Sequence, residues 1–342
     1  MTDQITKLAP QIWAEINKAH KILLSCHVQP DPDSVGANLA LKLGLEKLGK
    51  QVTLISGDTP PLQSLSFLPG SDQIINQDIT QVHMTEFDIF ISLDTGSLSQ
   101  LTRKKSLKIP FDVPTIVIDH HASNPRYGLI NLVEPNIVST SELIFSLFTL
   151  SGHDLVDTNI AMCLFTGIYS DSGGFRYEAV TGDTLRTAGQ LLDYGVLCDQ
   201  VVYQLMKIPV TYFAPLGEAL SLIKTHHFSK VLVLKLPLSF FTKYQMDADV
   251  MAEIKEIITQ LLNRNSPHIS VMIYERELQK IGISIRANNP FHFYNVILIA
   301  KQLNFGGGHA KAAGGQFTGT VDEAEAEFFR ILDKTFPEVG QP

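Results

Sequence analysis

The chain has 342 residues, 44% hydrophobic and 18% charged, with 27 basic against 35 acidic side chains and a formal net charge of −8. That length suits two domains with sizeable cores, and the acidic balance argues against a grip on long duplex DNA, whose affinity rests on cationic contacts to phosphate. Three scattered cysteines (Cys26, Cys163, Cys198) exclude a disulfide framework or a cysteine zinc site. No apolar run approaches the roughly 18 residues of a membrane span, and the N-terminus lacks a signal-peptide pattern, so a soluble cytoplasmic protein without a membrane partner is expected.

Leu8, Ile12, Trp13 and Ile16 recur at helical spacing and open the chain with an amphipathic helix. A buried strand at 21–27 leads into a helix over 34–49, and a strand at 51–56 precedes a loop rich in proline and glycine. Apolar strands follow at 88–94 and 115–120, and then helices at 140–152, 157–171 and 183–195. Buried strands alternating with helices predict an α/β domain, a mostly parallel sheet with helices on both faces. After Gly195 the pattern weakens into a linker with helical content. A smaller C-terminal α/β unit follows, with strands at 230–236, 269–275 and 280–286 and helices at 249–264, 294–303 and 321–336. The expected organisation is a first domain over 1–195, a linker over 196–214 and a second domain over 215–342.

Aspartates and histidines gather at the predicted element ends. His27, Asp31 and Asp33 follow the first strand, Asp94 ends the strand at 88–94, Asp119, His120 and His121 close the strand at 115–120, and Asp171 ends an apolar helix. Ligands of parallel α/β sheets bind at the carboxyl ends of the strands, so these groups are expected on one rim. Mixed carboxylates and imidazoles suit Mn²⁺ or a similar divalent ion, and a carboxylate shared by two ions makes a clamp for phosphoryl chemistry. Asp119 is expected to orient His120 through its second ring nitrogen. Taken singly, each residue has a bland alternative: Asp33 can be the N-cap of the next helix and Asp31 a turn residue.

In the C-terminal half, Gly306, Gly307, Gly308 and His309 form a glycine-rich turn candidate for an anion-binding nest, with Arg286 at the end of a strand. A flexible turn and a surface ion pair are the plain readings of the same residues.

The segments 27-HVQPDPDSVGA-37, 119-DHH-121, 166-TGIYSDSGGFRY-177 and 305-FGGGHAKAAGG-315 resemble the signatures of the DHH/DHHA1 phosphoesterases, in particular the small two-domain oligoribonucleases (nanoRNases) that also dephosphorylate 3′-phosphoadenosine 5′-phosphate. The resemblance covers nearly the whole chain. It implies one Mn²⁺ on His27, Asp31 and Asp94 and a second on Asp33, Asp94, His120 and Asp171, with Mg²⁺ or another divalent ion as an alternative. It implies Asp94 and His121 as the catalytic pair, His121 facing the scissile phosphate. Arg286, His309 and the glycines would hold substrate phosphate. Expected substrates are short single-stranded RNA or DNA, dinucleotides or phosphoadenosine phosphate; a homodimer is left open. The rivals are a manganese pyrophosphatase, a hydrolase of dinucleotides derived from cyclic dinucleotides, and a non-catalytic nucleotide-binding regulator. Three positions depart from the family pattern: Gln100 stands where many members carry arginine, with Arg103 three residues on, Ser172 gives S-D-S-G in place of D-T-G, and 244-YQMDADVMAEI-254 lacks an expected segment.

Overall fold

The computed structural model describes residues 2–104, 112–265, 268–287, 289, 291–308 and 310–341. The chain divides into two compact units, Met1–Lys207 and Ile208–Pro342. The first unit runs α1 (Asp3–Lys18), β1 (Lys21–Ser25), α2 (Pro32–Lys47), β2 (Gln51–Ile55), β3 (Ile89–Leu93), β4 (Thr115–Asp119), β5 (Ile130–Val133), α3 (Thr140–Thr149), α4 (Thr158–Asp171), α5 (Gly182–Asp193) and α6 (Cys198–Met206). The weakly patterned stretch after Gly195 thus contains α6, whose Val201 is buried in the core of this unit.

The five strands are all parallel, in the order β2-β1-β3-β4-β5. β5 has no counterpart among the expected strands. Side chains alternate between the two faces of the sheet. Ile22, Leu24, Ile91, Leu93, Ile116, Ile118 and Leu132 join the large core built with α1 to α6. Leu23, Ile55 and Phe90 face the other way, onto Ile79, Leu101 and one-turn helices at Ile79–Gln81, Met84–Glu86 and Leu98–Gln100. The sheet is therefore covered on both faces, but by long helices on one only.

The order has a mechanical consequence. From β1 the chain turns outward to β2, then returns on the other side of β1 to form β3. The direction reverses between β1 and β3, and such a switch point opens a crevice at the carboxyl ends of the two strands. His27 follows β1 and Asp94 follows β3.

α2 is the central helix of this unit. It is buried on nearly every side, from Asp33 through Leu45, so it shows little amphipathic pattern. Small residues let its neighbours close in: a Cβ on Gly36 would stand 2.4 Å from the Cys163 carbonyl oxygen of α4, and one on Gly44 would stand 2.6 Å from the Phe148 ring of α3. Lys42 is buried in the same helix and pairs with Glu46 and with Gln73 Oε1 at 2.8 Å.

The second unit comprises α7 (Phe213–Ser221), β6 (Lys224–His226), β7 (Val231–Leu236), α8 (Leu238–Lys243), α9 (Ala248–Asn265), β8 (Ile269–Glu277), β9 (Lys280–Arg286), α10 (Ile297–Ala300), β10 (Asn304–Gly308), β11 (Ala312–Thr318) and α11 (Val321–Thr335). Its sheet has the order β10-β11-β9-β8-β7-β6, with β7 and β8 parallel and the other pairs antiparallel. β10 and β11, rich in glycine and alanine, escape a reading by strand propensity; pairing with β9 makes them strands. The helix expected at 294–303 shrinks to the single turn of α10. No helix among the described residues is long and apolar enough to cross a membrane.

Replacing Gly36 by alanine should cost about 1–3 kcal/mol through the clash with α4. Gly189, exposed in α5 with nothing within 4 Å of an added Cβ, should gain about 0.5–1 kcal/mol from the same change. Thermal melts of the two variants check this: the first should melt several degrees lower and the second no lower than the parent.

Candidate metal centre

Each polar group on the rim is positioned by a different local rule. His27 is buried just past β1, and its Nδ1 lies 2.9 Å from the Val28 carbonyl oxygen. A carbonyl only accepts, so Nδ1 carries a proton and Nε2 is the ring nitrogen that faces the rim. Nε2 is 3.5 Å from both Asp31 Oδ2 and Asp94 Oδ2. Asp31 is the N-cap of α2: its Oδ1 accepts from Ser34 N at 2.9 Å, which leaves Oδ2 for His27.

Asp33 does not cap α2. The helix begins at Pro32 with Asp31 as cap, and Asp33 lies inside it, fully buried. Its carboxylate crosses to the start of α3, accepting from Thr140 N at 2.7 Å and Ser141 N at 2.9 Å. Those N–H groups have no partner within their own helix, and the positive end of the helix dipole favours the negative charge.

Asp94 is the centre of the arrangement. It is 1% exposed and adopts φ +52°, a left-handed conformation that a non-glycine residue holds only where its surroundings enforce it. Its two oxygens look in different directions. Oδ2 faces His27, while Oδ1 accepts from Thr140 Oγ1 at 3.1 Å and lies 3.5 Å from His120 Nε2. His120 Nε2 is in turn 3.3 Å from Oδ2 of Asp171, the last residue of α4.

Asp119 does not orient His120. Its Oδ1 accepts from His121 Nδ1 at 2.7 Å and from His121 N at 3.2 Å, and its Oδ2 accepts from Asn124 Nδ2 at 2.6 Å. The reason is geometric: Asp119 still belongs to the strand and is fully buried beneath the turn, so it meets the ring two residues on. His121 therefore carries its proton on Nδ1 and presents Nε2 outward.

Charge accounts for the rest. Burial pulls His27 down, but Asp31 and Asp94 outweigh it and raise its pKa to about 11. Burial is likewise outweighed at His120, where Asp171 and Asp94 lift the pKa to about 12. Asp94 is held well below the usual carboxylate range by His120 and His27 despite its burial. Burial pushes Asp33 well above that range, with repulsion from Asp94 and Asp171 adding to it. Burial also raises Asp171 to about 6, against the pull of His120. The carboxylates demand positive charge, which imidazolium protons or divalent cations can supply.

The donor set fits cations. His27, Asp31 and Asp94 offer ligand atoms within 4.8 Å of one another, as do Asp33, His120 and Asp171, and Asp94, His120 and His121. Asp94 Oδ2 and His120 Nε2 are buried without a hydrogen-bond partner among the described residues. A buried polar atom left so costs about 1–3 kcal/mol, more if charged, and a metal bond would remove that cost.

Some contributors carry no chemical signature of their own. A Cβ on Gly167 would stand 2.5 Å from Asp33 Oδ1 and 2.1 Å from Ser141 Oγ, so only glycine leaves room for that carboxylate. Thr140 holds Asp94, and Asn124 Nδ2 ties Asp119 to the Thr95 carbonyl at 3.0 Å. Gln100, at the position of the family's arginine, uses its backbone carbonyl to accept from Val28 N.

In the second unit, Arg286 ends β9, its Nη1 donating to Ser284 Oγ and the Ile285 carbonyl at 3.1 Å each. Gly306, Gly307 and Gly308 lie in a bulged edge strand instead of the expected turn. Packing explains two of them: a Cβ would meet the Ala300 oxygen at 1.6 Å from Gly306 and the Ala312 oxygen at 2.5 Å from Gly308, whereas Gly307 has open space. His309 lies outside the described residues.

Two known families match segments of the chain. The profile of the DHH family, N-terminal domain, matches residues 21–168, and that of the DHHA1 domain matches residues 229–338. The chain carries both a DHH N-terminal domain and a DHHA1 domain. It is 29% identical over 333 residues to the bifunctional oligoribonuclease and PAP phosphatase of Thermus thermophilus, covering 95% of this chain and 94% of that one. The Bacillus subtilis protein of the same name is 27% identical over 310 residues, covering 89% and 91% of the two chains. A crystal structure of an exopolyphosphatase-related protein from Bacteroides fragilis superposes with a TM-score of 0.87 over 98% of each chain at 24% identity, a likeness of fold.

Gly167→Ala, though it adds no charge and touches no cation directly, should lower Mn²⁺ affinity about 10–100-fold by displacing Asp33. Calorimetric titration of the folded variant with Mn²⁺ checks this, and parent-like affinity would show that Asp33 has no part in holding the ion.

Proposed function

We propose that this protein is a divalent-metal-dependent phosphoesterase that removes nucleotides one at a time from short oligonucleotides and also hydrolyses 3′-phosphoadenosine 5′-phosphate. The observation that carries the reading is Asp94, whose two oxygens face two separate sets of nitrogen and oxygen donors at the switch point of the sheet. The two relatives named above, matched along almost their whole length, support the substrate class.

His27, Asp31 and Asp94 would hold one ion, and Asp33, Asp94, His120 and Asp171 the other; Mn²⁺ is the first choice for this mixture of donors. When bound, such a pair supplies a water of lowered pKa and positive charge beside the phosphoryl oxygens. The remaining work falls to side chains. Burial pulls the His121 pKa down, but Asp119, which fixes the ring, and Asp94 together raise it. His121 Nε2–H is then the group that donates a hydrogen bond to the phosphoryl or leaving oxygen. Arg286 would bind a substrate phosphate, for which its planar fork is suited.

Asp94→Ala should abolish both Mn²⁺ binding and hydrolysis of pApA; a variant that keeps full Mn²⁺-dependent activity sinks the assignment. Asp119→Asn should keep metal affinity within a few-fold while kcat falls about 10²–10⁴-fold, the usual range for lost general-acid assistance. Arg286→Ala should act mainly on KM for substrates with a terminal phosphate. Parallel assays on pApA, phosphoadenosine phosphate and pyrophosphate test the substrate class, and turnover of pyrophosphate alone would replace this reading with its pyrophosphatase rival.

A further inference from the structure

One face of the C-terminal sheet is half covered. Met272 and Tyr274 of β8 enter a cluster with Ile254, Ile258 and Leu262 of α9. Beyond them the same face is paved by Gly282, Ser284 and Arg286 of β9 and by Ala312, Gly314 and Gln316 of β11, side by side in register. None of these brings a large apolar side chain. The residues between them, Ile281, Ile283 and Ile285, point to the opposite face and its own core.

Cations stand at both ends of this strip. Arg286 marks one. Four residues back along β9, about 13 Å at the usual strand rise, the ring of Tyr274 lies across Gly282, where a Cβ would stand 2.4 Å from it. Over that ring, Lys255 Nζ is 4.3 Å from the centroid and the Arg276 guanidinium carbon 5.2 Å, and Arg276 Nη2 donates to the Tyr274 hydroxyl at 2.6 Å. Neither Lys255 nor Arg276 has a carboxylate partner among the described residues. Burial lowers the Lys255 pKa, and Arg276 lowers it further. Contacts with the ring hold two like charges together; an anion between them would relieve the repulsion.

We propose that Lys255, Tyr274 and Arg276 form a second phosphate-binding site that, with Arg286 at the far end of the paved strip, holds the backbone of oligonucleotides longer than a dinucleotide. The inference rests on the phosphoesterase reading and extends it to substrate length. Beyond the Tyr274 ring, a strip floored by Ser284, Ala312 and Gly314 lets a sugar–phosphate chain lie close to the sheet, and the separation of its ends exceeds the reach of a single phosphate.

The test uses the full chain with both cations neutralised, Lys255→Gln with Arg276→Gln, which keeps the long stems and leaves Arg286 and the metal centre intact. Binding of a fluorescent seven-nucleotide RNA and of pApA is followed by anisotropy with EDTA present, between about 50 and 200 mM salt. The double variant should bind the seven-mer at least tenfold more weakly, and its slope of log K against log salt should be shallower by about 0.7, the value for one lost phosphate contact to a single strand. Affinity for pApA should stay within twofold. Unchanged seven-mer binding, or equal weakening for both lengths, overturns the second site. The two readings fail separately: a parent protein that turns over pyrophosphate but neither binds nor trims the RNA sinks the functional reading, whereas a parent that trims it and a variant that binds it equally well sink only this one.

Discussion

The N-terminal unit is organised around a concentration of negative charge that its interior cannot hold unaided. Asp33, Asp94 and Asp119 are all but inaccessible to solvent, and Asp31 and Asp171 stand beside them at the rim. Removing several carboxylates from water is costly unless each finds compensation. The compensations differ from residue to residue. Asp33 takes the free N–H groups at the start of α3, Asp119 takes an imidazole N–H and an amide, and Asp94 lies between two imidazoles. What hydrogen bonds leave unmatched, at Asp94 Oδ2 and His120 Nε2, is what cations would satisfy.

That requirement reaches into parts of the unit without polar chemistry. Gly167 must lack a side chain because Asp33 and Ser141 occupy its place, and Gly36 must lack one because α4 has to lie close enough to bring Asp171 to the rim. The left-handed backbone at Asp94 is a local cost, of order 1–3 kcal/mol, met by the fully buried strand that precedes it. Stability and site are therefore one problem here: helices packed on a common core position carboxylates that, alone, would push them apart.

The C-terminal unit meets a different demand. Its apolar clusters fill one face of the mixed sheet and half of the other, leaving β9 and β11 with a floor of small residues. Two of the three glycines in β10 answer to backbone crowding, so the glycine run by itself says little about ligands. The basic residues along the uncovered face are the more informative feature.

How much of this was legible in the sequence follows from where the information lies. Hydrophobic period and chain order are local properties, and they sufficed for the α/β class, for the parallel strands β1 to β4 and for the expectation that His27, Asp31, Asp94, His120 and Asp171 share a rim. The spacing of D-H-H within the wider set pointed to the family for the same reason. Propensity could not reveal β10 and β11, because strands of glycine and alanine exist only by pairing. Nor could spacing say that Asp31 and not Asp33 caps α2, that Asp119 holds His121 and not His120, or that Gly167 makes room for a carboxylate. Residue identity and order therefore determined which chemistry is available, since they depend on the chain alone. Partner choice was decided by the tertiary structure, because hydrogen bonds, burial and excluded volume act between groups that only folding brings within a few ångströms of one another.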